Sequence, residues 1–204
     1  RPEDWDGTTL TSISRGYAVE VTPLQLAVAY AALANGGLLV RPYVVAERRD
    51  PTTGRTTWQA RQDSVRRAFR AETAARLLPA FESVIAEGGT GTLAAVAGLR
   101  VAGKTGTARR AAAGGYSDTY RSSFVGMFPA EDPEVVLAIV LDRPQNGYGG
   151  GTVAAPIFGA TARRWVGTFP TIAERVAPSG ILAERRGARV PDVSGIPATL
   201  AAHR

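Results

Sequence analysis

Residues 98–109 read Gly98-Leu99-Arg100-Val101-Ala102-Gly103-Lys104-Thr105-Gly106-Thr107-Ala108-Arg109, and how this stretch folds decides how the rest of the chain is read. Lys104 is the only lysine among 24 Lys and Arg residues. Where arginine serves every other position, a compact ammonium has been kept here, and the two cations are not interchangeable in a tight site. Gly98 to Thr105 satisfy G-x-x-x-x-G-K-[ST], the pattern of a phosphate-binding loop. Val135 to Leu141 followed by Asp142 has the form of an apolar strand ending in a magnesium-holding aspartate. Such a loop needs a strand entering Gly98 and a long helix starting at Lys104. Instead Thr105-Gly106-Thr107 follow the lysine, and Gly114-Gly115 would stop any helix after about two turns. The competing reading makes Gly98 to Arg109 a strand. Side chains alternate along it, so Thr105 and Thr107 present hydroxyls on one face while Gly106 leaves the backbone open to close approach. Two hydroxyls beside an approachable backbone form a cradle for a carboxylate.

The flanking pattern supports the strand. Upstream, Thr22-Pro23 before Leu24 to Ala34, closed by Asn35-Gly36-Gly37, predicts a capped helix, apolar nearly all round and therefore buried. Leu38 to Arg48, the turn Asp50 to Gly54 and Arg55 to Gln59 predict a hairpin. Ala71 to Glu87, with apolar residues at helical spacing and Gly88-Gly89 behind, predicts an amphipathic helix. Downstream, Arg121 to Phe128 and Glu134 to Asp142 read as strands. The loops between them are too short for helical crossovers, so the pairing should be an antiparallel meander. Thr152 to Val166 resumes helical spacing. The expected class is α+β, an antiparallel sheet with helices before and after it.

The 204 residues, 45% hydrophobic and 21% charged, describe one globular domain with or without a tail. With no cysteine and a single histidine, His203, this chain cannot supply a Ser-His-Asp set, a thiolate nucleophile or a multi-histidine metal site. The net charge of +6 comes from scattered arginine pairs without aromatic interleaving, so no nucleic-acid partner is expected. Asp118, Glu131, Asp132 and Glu134 read as solvated loop carboxylates, and Tyr116 and Tyr120 as candidates to line a cleft. The chain starts at Arg1 and its one methionine is Met127, so it is expected to be a piece of a longer protein. No window reaches 18 consecutive apolar residues.

One family unites these segments. Lys104-Thr105-Gly106-Thr107 resembles the third signature of penicillin-binding transpeptidases, serine acyl enzymes with the signatures S-x-x-K, S-x-N and K-T-G. The surroundings resemble the high-molecular-weight class B members in order and spacing from about residue 8 to 166. They include Val21-Thr22-Pro23-Leu24-Gln25-Leu26-Ala27, Gly89-Thr90-Gly91, Ser123-Phe124-Val125-Gly126-Met127-Phe128-Pro129-Ala130 and Gly150-Gly151-Thr152-Val153-Ala154-Ala155-Pro156-Ile157-Phe158. The resemblance implies the penicillin-binding, serine β-lactamase-like fold, incomplete in this chain. It implies a substrate stem peptide ending in D-Ala-D-Ala, or a β-lactam that mimics it. Thr105 and Thr107 would bond its carboxylate, Gly106 would let it approach, Lys104 would supply the positive field, and the Thr107 N–H would be half of the oxyanion hole. No metal or cofactor is implied.

The departures from the family pattern are equally specific. An S-x-x-K pair would need serine at Val101, and neither Asn35 nor Asn146 has serine two residues before it. Nucleophile and general base are expected on a segment upstream of Arg1; a relative without activity is the alternative. A class A β-lactamase is disfavoured, since no Glu stands four residues before either Asn. The expected organisation is a transpeptidase portion at 1–166, a Pro- and Gly-containing linker at 167–189, and at 190–204 the start of a PASTA-like module on Val190-Pro191-Asp192-Val193-Ser194-Gly195. Family resemblance further implies a location outside the cytoplasmic membrane, an anchor not on this chain, and partners in the upstream half and a SEDS-type glycan polymerase.

Overall fold

The computed structural model describes residues 3, 5–17, 19–61, 63–112, 115–145 and 147–176. After a short helix α1 (Thr9–Ser14), helix α2 (Pro23–Ala34) starts on a capping box. Thr22 Oγ1 accepts from the Gln25 N–H at 3.1 Å, and the Thr22 N–H donates to Gln25 Oε1 at 2.8 Å, so two orphan donors are satisfied at once. The helix stops where Gly36 and Gly37 take positive φ. At Gly37 a Cβ would stand 2.0 Å from Phe69 O, so only glycine fits. Burial is narrower than the all-round apolar sequence suggests. Ala32 and Leu33 are buried, whereas Leu24 is 60% exposed, because only the C-terminal half of the helix lies against the sheet.

The expected hairpin is present with shorter arms. Strand β1 (Leu38–Val40) pairs with β4 (Ser64–Arg67), and β2 (Glu47–Arg49) pairs with β3 (Thr56–Gln59). The predicted run from Leu38 to Arg48 is broken near Pro42, which has no N–H for a ladder. Helix α3 (Ala71–Ser83) carries Pro79 within it and ends four residues before Glu87.

The sheet is an antiparallel meander, β5 (Ala102–Ala112), β6 (Gly115–Phe128) and β7 (Val135–Asp142), in the order β5-β6-β7. It is covered on both faces. On one, Ala102 and Met127 pack with Leu33 of α2 and with Ala74, Leu78 and Phe81 of α3. On the other, Phe124 and Phe128 meet Phe158 of helix α4 (Ala155–Trp165), at ring-centroid distances of 4.8 and 6.0 Å. A one-turn π segment, Gly150–Ala154, leads into α4. Sheet, helices before it and helices after it form the expected α+β architecture.

The linker expected from residue 167 does not begin there. A 3-10 turn (Val166–Thr168) runs into helix α5 (Pro170–Val176), and Ile172 and Val176 are fully buried in the core with Phe158 and Val166. Pro170, taken as a linker signal, instead starts the helix, where its missing N–H costs nothing. The remainder of the linker and the PASTA-like segment lie outside the described residues.

Candidate functional site

Lys104 is the third residue of β5 and its neighbours continue the strand. No helix starts there, so the phosphate-loop reading is overturned. Asp142, its proposed magnesium ligand, faces three guanidinium groups, at 3.0 Å from Arg110, 3.4 Å from Arg121 and 3.8 Å from Arg143.

β5 pairs with β6 on one side only, and among the described residues its other edge is unpaired. Which backbone groups reach that edge follows from the ladder. The Arg143 N–H donates to Tyr120 O at 2.9 Å, so the even-numbered residues of β6 bond toward β7 and the odd-numbered toward β5. With Lys104 opposite Val125 and Gly106 opposite Ser123, the even-numbered residues of β5 bond to β6. Thr105 and Thr107 therefore turn their N–H and C=O groups to the open edge.

Their side chains share the face that carries Phe124 and Ser122, their cross-strand partners. Each hydroxyl is held. Thr107 Oγ1 accepts from the Gly150 N–H at 2.9 Å, which leaves its own proton to donate outward. Thr105 Oγ1 and Thr90 Oγ1 lie 2.9 Å apart, a pair that shares one proton and retains the other. Gly106 is flanked tightly. A Cβ there would meet Ser123 Oγ at 2.4 Å, while the backbone of Gly150 rests against its other side. Lys104 points to the opposite face from the two hydroxyls, is exposed, and its Nζ donates to Thr105 O at 3.0 Å, at the open edge. The structure thus gathers all four expected residues on one strand, with both threonine N–H groups, two hydroxyls and an ammonium around a free edge. Donors in this arrangement suit an anion lying along the strand.

Thr90 and Gly150, which the sequence offers only as part of a pattern, are the hydrogen-bond partners of the two threonine hydroxyls. Gly150 has to be glycine, since a Cβ would lie 2.4 Å from both Gly106 O and Ser123 O. Tyr120, expected at a cleft, stacks on Tyr148 at 4.3 Å under the guanidinium of Arg109 and lines a cavity of about 310 Å³ with Tyr148, Arg143 and Gly147. Tyr116 is 56% exposed and stands edge-on to Tyr17. Of the carboxylates expected in loops, Asp118 lies instead in β6, which starts at Gly115, and pairs with Arg109 at 2.8 Å; Glu131 lies 3.9 Å from Arg100, and Glu134 accepts from the Thr171 hydroxyl.

A sheet with an open, hydroxyl-lined edge strand between two helical layers is the frame of the serine acyl enzymes, and the comparisons with known proteins agree. The penicillin binding protein transpeptidase domain family matches residues 2–163, and the chain belongs to that family. Stage V sporulation protein D of Bacillus subtilis is 42% identical over 150 residues, 72% of this chain and 23% of that protein. Peptidoglycan D,D-transpeptidase FtsI of Escherichia coli is 36% identical over 158 residues, 76% of this chain and 25% of that one. The chain thus spans about a quarter of the length of these relatives. Penicillin binding protein 3 of Mycobacterium tuberculosis, solved alone and with aztreonam, superposes with a TM-score of 0.74 at 32% identity, over 82% of this chain and 40% of that one.

Proposed function

We propose that this chain supplies the substrate-holding strand of a peptidoglycan D,D-transpeptidase whose nucleophile lies elsewhere in the whole protein. The observation that carries the reading is the open edge of β5, where the Thr105 and Thr107 N–H groups emerge beside two hydroxyls and the Lys104 ammonium. The stem peptide lies along this edge, its terminal carboxylate taken by the Thr105 and Thr107 hydroxyls in the field of Lys104; the close approach expected at Gly106 is instead made by Ser123 and Gly150 of the protein itself. A serine of the whole protein attacks the D-Ala-D-Ala carbonyl, and the Thr107 N–H bonds the developing oxyanion. The bond to the terminal D-Ala breaks, and that D-Ala leaves with a proton. An amine of a neighbouring stem then displaces the serine, which regains its proton as the cross-link forms. A β-lactam enters the same path and stops at the acyl-enzyme. This places the protein on the outer side of the cytoplasmic membrane, working with a SEDS-type polymerase in septation or elongation; among the described residues no helix is long and apolar enough to cross a membrane.

Sequence supports the division of labour, since no Ser-x-x-Lys occurs in these 204 residues. The test is covalent labelling by a fluorescent penicillin. The whole protein should take up one label per molecule, and the 204-residue chain alone none. Labelling of the chain alone would place the nucleophile within it, and a folded whole protein that takes no label would contradict the enzymatic reading.

A further inference from the structure

The positive charge is concentrated in one stretch of the chain. Residues 38–70 hold eight arginines against three carboxylates, and so +5 of the chain's formal +6. The carboxylates are mostly engaged locally. Asp50 Oδ1 accepts from the N–H groups of Thr52 and Thr53, and Glu47 accepts from Arg49 and from Thr56 Oγ1. Among the described residues Arg41, Arg55, Arg61, Arg66 and Arg70 have no ion-pair partner. Beside the β2–β3 ribbon lies a groove of about 660 Å³, lined by Arg41, Tyr43, Trp58, Gln59, Arg61 and Asp63. Tyr43 is 52% exposed, Trp58 45%, and Val44 fully.

The ribbon itself is unpartnered. It is a two-stranded sheet whose outer edges are unpaired among the described residues, exposed on both faces. An isolated two-stranded ribbon is marginal in water. Exposed Trp, Tyr and Arg in one groove are the residue types that anchor protein interfaces. Uncompensated guanidinium groups select for carboxylates, and a free strand edge selects for an extended backbone. We propose that the β2–β3 ribbon and its groove dock an extended acidic segment of a partner protein, with one apolar side chain of that segment seated against Trp58 and Tyr43. This surface is separate from the β5 edge and independent of its chemistry.

The test uses the whole protein and a fluorescent probe peptide of roughly a dozen residues that alternates Glu with Ile and Phe, read by anisotropy. Binding should weaken by at least about tenfold in Arg41→Glu with Arg61→Glu, and likewise in Trp58→Ala, with unchanged melting temperatures as the control for folding. The charge-reversed protein should instead bind the same peptide with Lys in place of Glu. The milder pair Arg41→Gln with Arg61→Gln should fall between. Absence of binding to the parent, or binding indifferent to these substitutions, overturns the proposal. So does arginine-dependent binding to phosphatidylglycerol vesicles without binding to the peptide, which would make the surface a membrane contact.

Discussion

Gly150 and Thr107 are 43 residues apart in the chain and are joined by one hydrogen bond of 2.9 Å from the glycine N–H to the threonine hydroxyl. The bond ties the turn before α4 to the face of β5, and it orients the hydroxyl so that its proton points away from Gly150. Gly150 can come this close only because it has no side chain. Gly150→Ala should force the turn off the strand, at an overpacking cost of about 1–3 kcal/mol. Thermal unfolding of the whole protein should show a lower midpoint, with penicillin acylation slowed. An unchanged midpoint would mean that the turn is not seated against Gly106 and Ser123.

Helix α5 is part of the core, so it should behave as core under mutation. Ile172→Ala, which removes a fully buried side chain, should cost about 2–5 kcal/mol. A linker residue would cost close to nothing, and denaturant titration distinguishes the two.

At the start of α1, Asp6 Oδ1 accepts from the hydroxyl of Thr9 at 2.8 Å and from the hydroxyl and N–H of Thr8. These bonds favour the carboxylate and pull its pKa down to about 2 from 3.8. A depressed carboxyl contributes stability above its unfolded value and loses it as pH falls through the folded one. Amide shifts of Thr8 and Thr9 should therefore hold steady from neutral pH to about 4 and move in concert near 2. In Asp6→Asn that movement should vanish.

Because Lys104 lies inside a strand, nucleotide has no cradle here. Millimolar Mg-ATP should leave the melting temperature unchanged, whereas a ligand binding only the native state would raise it by mass action. A reproducible rise would reopen the phosphate-loop reading.

The sheet was legible because its signals are local and mutually consistent. Val135 to Leu141 is a continuous apolar run with β-branched Val135, Val136, Ile139 and Val140, and Thr105-Gly106-Thr107 alternates small and hydroxyl side chains. Helix α2 carried its start and stop in Thr22-Pro23 and Gly36-Gly37. Hidden from sequence were the relationships that join distant segments. Nothing in Leu38–Val40 says that its partner is Ser64–Arg67 rather than the adjacent arm, and Pro170 reads as a linker until Ile172 is seen buried in the core. That Lys104 to Thr107 share one strand was legible, but the contacts of Thr90 and Gly150 with it were not. Their hydrogen bonds depend on loops whose paths only the fold defines. The excess of arginine was countable in residues 38–70, but the meeting of Arg41 and Arg61 with Tyr43 and Trp58 in one groove was not.

If β5 holds the substrate carboxylate, the second-order rate at which a penicillin acylates the whole protein depends on its side chains. Thr107→Val removes the hydroxyl and keeps the β-branch and the N–H, so a hydrogen bond to a charged group is lost, about 1.5–3 kcal/mol or roughly 10- to 150-fold in rate. Thr107→Ser, which keeps the hydroxyl, should stay close to the parent. Lys104→Arg should also acylate slowly, because a broad guanidinium does not replace a compact ammonium. If Thr107→Val and Lys104→Arg both acylate at the parent rate, β5 is not the substrate cradle.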